Sequence, residues 1–246
     1  MFRQHAMMLA AAAALTTLAA GPARAGGGLS VSPITIEFSQ GANARALEVS
    51  NPGDEPIDVQ IRLFGWTVDE TGDHHAPSQD IGFSPPMFHL AAGARQIVRL
   101  APQRPATDRE AAYRLFVDQL PGPPKEGQLQ LPVRMVLPVF VSPRNAAERR
   151  QPPRDSRLTW RASRDPATGK VLLSAANADI RRAKLLNLAY EADGVSHVVQ
   201  KGLAGYVLAG ETRGWTFAVP GRPEHLTVTA EVNDSPISAQ VALAVD

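Results

Sequence analysis

The sequence predicts an all-β protein of two sandwich domains, and three observations carry that prediction. Apolar residues recur at every second position in short runs, the period that puts alternate side chains on one face of a pleated strand. With 21 Pro and 19 Gly spread through 246 residues, turns cut those runs, and no 3.6-residue period extends far beyond the N-terminal segment. The composition also changes after Pro143, where Arg144 to Arg157 is charged, polar and proline-bearing, as a linker between domains is.

The chain opens with Arg3 and His5, then an apolar stretch from Ala6 to about Ala20, then Ala23-Arg24-Ala25, a small-x-small cleavage pattern. A membrane span needs roughly 20 strongly apolar residues, and this stretch is shorter and Ala-rich. A buried Ala-rich helix is the other reading. The expected organisation is a signal peptide at 1–25, a first domain at 26–147 and a second at 148–246, exported and without membrane insertion. Cysteine is absent, which excludes a disulfide framework, thiol catalysis and thiolate metal sites. A net charge of +1, from 25 basic and 24 acidic side chains, gives no bulk attraction to nucleic acid or an acidic membrane.

The strands follow in order. Leu29 to Phe38 reads as one strand and Ala46 to Ser50 as another, closed by Asn51-Pro52-Gly53-Asp54, where Pro presets φ and Gly accepts positive φ. From Ile57 to Val68, Ile57, Val59, Ile61, Leu63 and Gly65 alternate with Asp58, Gln60, Arg62, Phe64 and Trp66. Thr71 to His75 reads as a polar loop. Phe88 to Leu90, Gln96 to Leu100 and Ala112 to Leu120 follow, and Gly122 to Gln128 is a Pro/Gly loop. In the second half, strands are expected at Leu158 to Ala162, Lys170 to Ala175, Lys184 to Tyr190, Thr216 to Val219, Leu226 to Asn233 and Ile237 to Val245.

The segment from Leu129 to Val141 is the most informative. Every odd position is apolar: Leu129, Leu131, Val133, Met135, Leu137, Val139 and Val141. A common strand has only about 5 or 6 residues, so this run is long. Pro132 and Pro138 lie within it, both on the even register and both without an N–H. One edge therefore cannot be paired continuously, which reads as an edge strand. Leu137, Val139 and Val141 are expected in the domain's own core.

Taken together, several stretches resemble the periplasmic pilus chaperones, more closely their archaic branch. They are Val31-Ser32-Pro33, Val49-Ser50-Asn51-Pro52-Gly53, Val59-Gln60-Ile61-Arg62 with Trp66, Asp108-Arg109-Glu110 leading to Tyr113-Arg114 and Leu120-Pro121, Leu137 to Pro143, and Val232-Asn233-Asp234. The resemblance implies two immunoglobulin-like domains set in an L and a periplasmic, non-enzymatic protein. It also implies that Leu129, Leu131, Val133 and Met135 form a donor strand for pilin subunits, with an outer-membrane usher receiving the complex. An exposed donor strand could also self-pair without a client. The main branch of the family anchors the pilin's terminal carboxylate with an Arg and a Lys; those positions here are Thr35 and Pro138, and Arg99 and Arg134 are the candidate substitutes. The family's interdomain charge cluster implies Glu110 and Asp234 as acids, with Arg144 as the base in place of Ser142.

Little else carries chemistry. His74 and His75 are adjacent and lack a spaced third ligand, so no metal or other cofactor is expected, and neither a nucleophile elbow nor a phosphate loop occurs. Trp66, Trp160 and Trp215 are expected to pack. Two other readings stay open: a structural or adhesive component of the pilus itself, and an exported carbohydrate-binding module, against which three Trp and three Tyr are few.

Overall fold

The computed structural model describes residues 28–39, 41–104, 107–123, 131–143 and 158–245. Their strands are β1 (Ser30–Ser32), β2 (Ile36–Phe38), β3 (Arg45–Ser50), β4 (Ile57–Asp69), β5 (Gly72–Pro77), β6 (Ile81–Ser84), β7 (Met87–Leu90), β8 (Arg95–Pro102), β9 (Ala111–Leu120) and β10 (Arg134–Val141) in the first half. The second half has β11 (Leu158–Arg164), β12 (Lys170–Asn177), β13 (Ala183–Ala192), β14 (Val195–Val207), β15 (Thr212–Ala218), β16 (His225–Val232) and β17 (Ser235–Val245). No helix occurs among the described residues.

In the first sandwich a four-stranded sheet, ordered β1-β3-β8-β6, faces a sheet ordered β2-β10-β9-β4-β5, with β7 on the start of β4. The alternation of β4 explains the packing. Ile57, Val59, Ile61 and Leu63 point inward and are buried, meeting Leu47, Val49, Val98 and Leu100 from the facing sheet and Leu115, Val117, Leu137 and Val139 from their own. Asn51, also buried, organises the predicted turn: its Nδ2 donates to Glu55 O at 2.7 Å and to Leu90 O and Ala91 O, and its Oδ1 accepts from Gly53 N.

The expected strand Leu29 to Phe38 is two strands. β1 pairs with β3 in one sheet, and after Pro33 the chain crosses so that β2 runs parallel to β10 in the other. The expected loop at His74 and His75 is strand β5, in a hairpin with β4. It is exposed almost throughout, so no apolar alternation marks it.

The second sandwich is ordered β14-β13-β16-β17-β11-β12-β15. Strand β17 pairs antiparallel with β16 along most of its length and parallel with β11 at its end, which links the two layers. Val171, Leu173 and Ala175 face Leu185, Leu188, Leu226 and Val228 across the core. Trp160 and Trp215 stack with centroids 6.0 Å apart against this core.

Candidate functional site

Strand β10 is held on one side along its whole length and on the other only at its end. Every residue from Arg134 to Val141 opposes a β9 residue, whereas β2 covers only Val139, Phe140 and Val141. Gln119 N donates to Val133 O at 2.9 Å, and Ser142 N donates to Phe38 O at 2.9 Å. In a ladder of alternating bonds, the odd residues of β10 therefore bond to β9 and the even residues face the other edge. Over Arg134 to Pro138 that edge has no strand partner among the described residues. The N–H groups of Arg134 and Val136 are open to it, and Pro132 and Pro138 supply none.

The apolar row is graded along the strand. Leu137 and Val139 are in the core, and Met135 packs against it while partly buried. Val133 is 36% exposed and Leu131 76% exposed. Residues 131–133 precede the strand, which begins at Arg134 and not at Leu129. Leu129 lies outside the described residues. On the even row Val136 is 41% exposed, and Pro138 is buried opposite Arg114.

At its other end β10 disappears under the second domain. Trp66, Val68 and Phe140, all on the outer row of this sheet, are buried with Tyr206 and Leu208. The rings of Trp66 and Tyr206 meet edge-on at 5.5 Å, and those of Phe140 and Tyr206 lie 5.6 Å apart. Two cations stack on this cluster, Arg114 3.6 Å from the Trp66 centroid and Arg182 3.6 Å from that of Phe140. Arg182 Nη1 donates to Glu110 Oε2 at 2.6 Å, its backbone N donates to Glu110 Oε1, and its Nη2 donates to Glu37 Oε1. One arginine from the second domain thus grips β2, the entry to β9, and the ring of Phe140 on β10. Burial pushes the Glu110 carboxyl above its ordinary value even with Arg182 beside it.

A second contact closes the far side. Arg213 Nη1 and Nη2 donate to Asp73 at 3.0 and 3.2 Å, and Trp66 Nε1 donates to the same carboxylate at 2.7 Å. Val68 N donates to Glu211 Oε2 at 2.7 Å. Gly214 fits here because a β-carbon on it would meet Glu70 O at 2.5 Å.

The expected site residues separate. Glu110 stands at the domain junction, but its base is Arg182; Arg144 lies outside the described residues. Asp234, exposed at the turn before β17, has its ion pair with Lys184 at 4.0 Å. Arg99 is on β8, opposite Ala46 and Ser84 in the four-stranded sheet and not the sheet of β10. Arg134 is on β10 but already donates to the buried carboxylate of Asp118. Nothing in the sequence marked Arg182, just before β13, or Asp118, on the outer row of β9, because a single charged residue has no period to reveal it. Among the described residues no group of three His, Asp or Glu is placed to hold a metal.

Residues 28–147 match the family of pili and flagellar-assembly chaperones, PapD N-terminal domain. The fold is similar to the CsuC–CsuE chaperone–tip adhesion subunit pre-assembly complex from archaic chaperone-usher Csu pili of Acinetobacter baumannii. The TM-score is 0.67 at 22% identity, covering 88% of this chain and 99% of that one. It is also similar to the YadV chaperone (TM-score 0.60, 16% identity, 87% and 99% covered). A third likeness is to the Salmonella enterica SafA pilin in complex with the SafB chaperone (TM-score 0.53, 17% identity, 88% and 96% covered). No curated protein sequence matches the chain. The structural likenesses carry the fold of both sandwiches, and the domain match carries the family. Residues 28–147 thus belong to the PapD N-terminal family of pili and flagellar-assembly chaperones, and both sandwiches share the fold of these chaperones.

Proposed function

We propose that this protein is a periplasmic chaperone that caps pilin subunits by lending them the free edge of β10, and that it passes them to an outer-membrane usher. In this reading residues 1–25 are a cleaved leader, 26–147 the lending domain and 148–246 the second domain. The observation that carries it is the edge itself: among the described residues Arg134 to Pro138 has one strand partner, and an apolar row rises out of the core beside it, from Leu137 through Met135 and Val133 to Leu131. An incomplete sandwich needs both things at once, main-chain bonds for its open edge and side chains for its groove. Burying Leu131 and Val133 in a client contributes roughly 1.5–3 kcal/mol each before ordering costs. Met135 is shared, half in this protein's own core and half available to the client. The structural or adhesive reading finds no such support, because it needs no strand offered to another chain.

The test is co-expression with neighbouring exported β-proteins, followed by pull-down with the wild type and with a Leu131→Asp, Val133→Asp double variant. The wild type should retain a pilin subunit and the folded double variant should not. Normal capture by the folded double variant rejects strand lending through these residues.

A further inference from the structure

Asp118 is an unusual residue for the outer face of a sheet. Its neighbour Val117 points into the core, so Asp118 points away from it, yet Asp118 is only 6% exposed. Two arginines cover it. Arg62 Nε and Nη2 donate to Oδ2 at 2.9 and 2.7 Å, and Arg134 Nε donates to Oδ1. Both guanidiniums lie over aromatic rings, Arg62 at 5.5 Å from Phe64 and 5.7 Å from Phe116, and Arg134 at 5.4 Å from Phe116. The fork ties β4, β9 and β10 together at the level where, among the described residues, β10 has only β9 beside it.

We propose that Asp118 is the positioning residue that fixes the register of the free half of β10 before a client arrives. The inference rests on the strand-lending reading. A strand held on one side can slide, and a slip of one residue turns every side chain to the opposite face. Apolar character alone does not forbid that slip at Val136, which is apolar on the wrong row. The fork does forbid it. A slip of one residue would carry the Arg134 side chain to the core side. A slip of two would set Asp118 opposite Pro132 or Val136, leaving a covered carboxylate without its second cation. The correct register is the one that aims Val133, Met135 and Leu137 along a single face.

The experiment compares wild type, Asp118→Asn and Arg134→Gln as full chains, by amide hydrogen exchange and by the kinetics of capturing the pilin subunit that the wild type retains. Asp118→Asn should speed exchange at Met135 and Leu137 about tenfold while amides of the four-stranded sheet keep their protection. Association should slow about tenfold with dissociation unchanged, because a smaller fraction of molecules has the competent register. A general loss of stability would instead speed exchange everywhere. Arg134→Gln, in which Arg62 still pairs Asp118, should show the same pattern more weakly and serves as the reading if Asp118→Asn does not fold. Wild-type exchange at Met135 and Leu137 in the folded variant overturns the proposal. If exchange there does quicken but the Leu131→Asp, Val133→Asp chain still captures the subunit, register control stands and strand lending fails.

Discussion

The two ends of β10 are built for opposite purposes. From Val139 to Val141 the strand has β9 on one side and β2 on the other, and Phe140 lies beneath Arg182 and Tyr206 of the second domain. From Arg134 to Pro138 it has β9 alone among the described residues. The locked end is a structural joint and the open end, on the proposed reading, an offered edge, within one strand of 8 residues. The difference shows how a protein can expose an apolar edge without unravelling, since rigidity at one end holds the geometry at the other. Prolines on the even register limit what else can pair there, a device that edge strands use against unwanted association.

The largest expected effect separates the ends outright. Leu131→Asp with Val133→Asp should weaken client capture at least about 100-fold, roughly 2.7 kcal/mol, and leave the melting temperature near wild type because both side chains are already exposed. Val198→Asp makes the matching change on β14, an edge strand with exposed Val195, Val198 and Leu203. It should alter neither quantity. Strand β14 is bulged against β13, which breaks the flat register a partner strand needs. Equal loss of capture from both edges would erase the distinction.

The locked end should answer in stability. Arg182→Ala leaves Glu110 buried without its cation and exposes the Phe140 ring, a loss of about 3 kcal/mol read from thermal or denaturant unfolding. Capture by the surviving folded fraction should fall less than in the double aspartate variant. Gly214→Ala acts on the same joint from the other side, because its β-carbon would press on the backbone of Glu70, which cannot turn away as the neighbouring Leu172 side chain can. Relief requires the two domains to part slightly, at about 1–2 kcal/mol. A Gly214→Ala protein as stable as wild type would mean the joint is softer than this contact implies.

The sequence made the open end of β10 readable and left the joint unreadable, for the same physical reason. Periodicity records which side of a strand meets its own core. The inward row of β4, and the row from Met135 to Val139 on β10, could therefore be read directly. Residues buried by a second domain sit on the opposite row, so Trp66, Val68 and Phe140 broke no pattern while serving the interface. Strand β5 was missed because nearly all of it is exposed, and β14 because its bulges interrupt the alternation. Arg182 lies 145 positions from Glu37 in the chain, and charge spacing holds no information about such a meeting. The domain match accounts for the first sandwich, while the partner of Glu110 required coordinates.

Acid provides the finest probe of the joint, because its carboxyls titrate with opposite signs. Burial works to raise the Asp73 carboxyl, but the hydrogen bonds and charge of Arg213, with the Trp66 N–H, outweigh it and hold the group below its ordinary 3.8. A depressed value in the folded state stabilises above 3.8, and that contribution is lost as pH falls through the folded value. Glu110 is the reverse. Burial raises it above 4.5, so its contribution is full below 4.5 and is lost as pH rises through the folded value. Asp73→Asn should therefore cost about 1 kcal/mol at neutral pH, a gap that narrows below pH 3.8 as the wild type loses the same charge. Against Glu110→Gln the wild type should gain ground as pH falls from neutral toward 4.5. Melting temperatures of the three proteins across that range decide it: curves that stay parallel would mean neither carboxyl changes its environment on folding, and the joint would then owe nothing to the charges of Asp73 and Glu110.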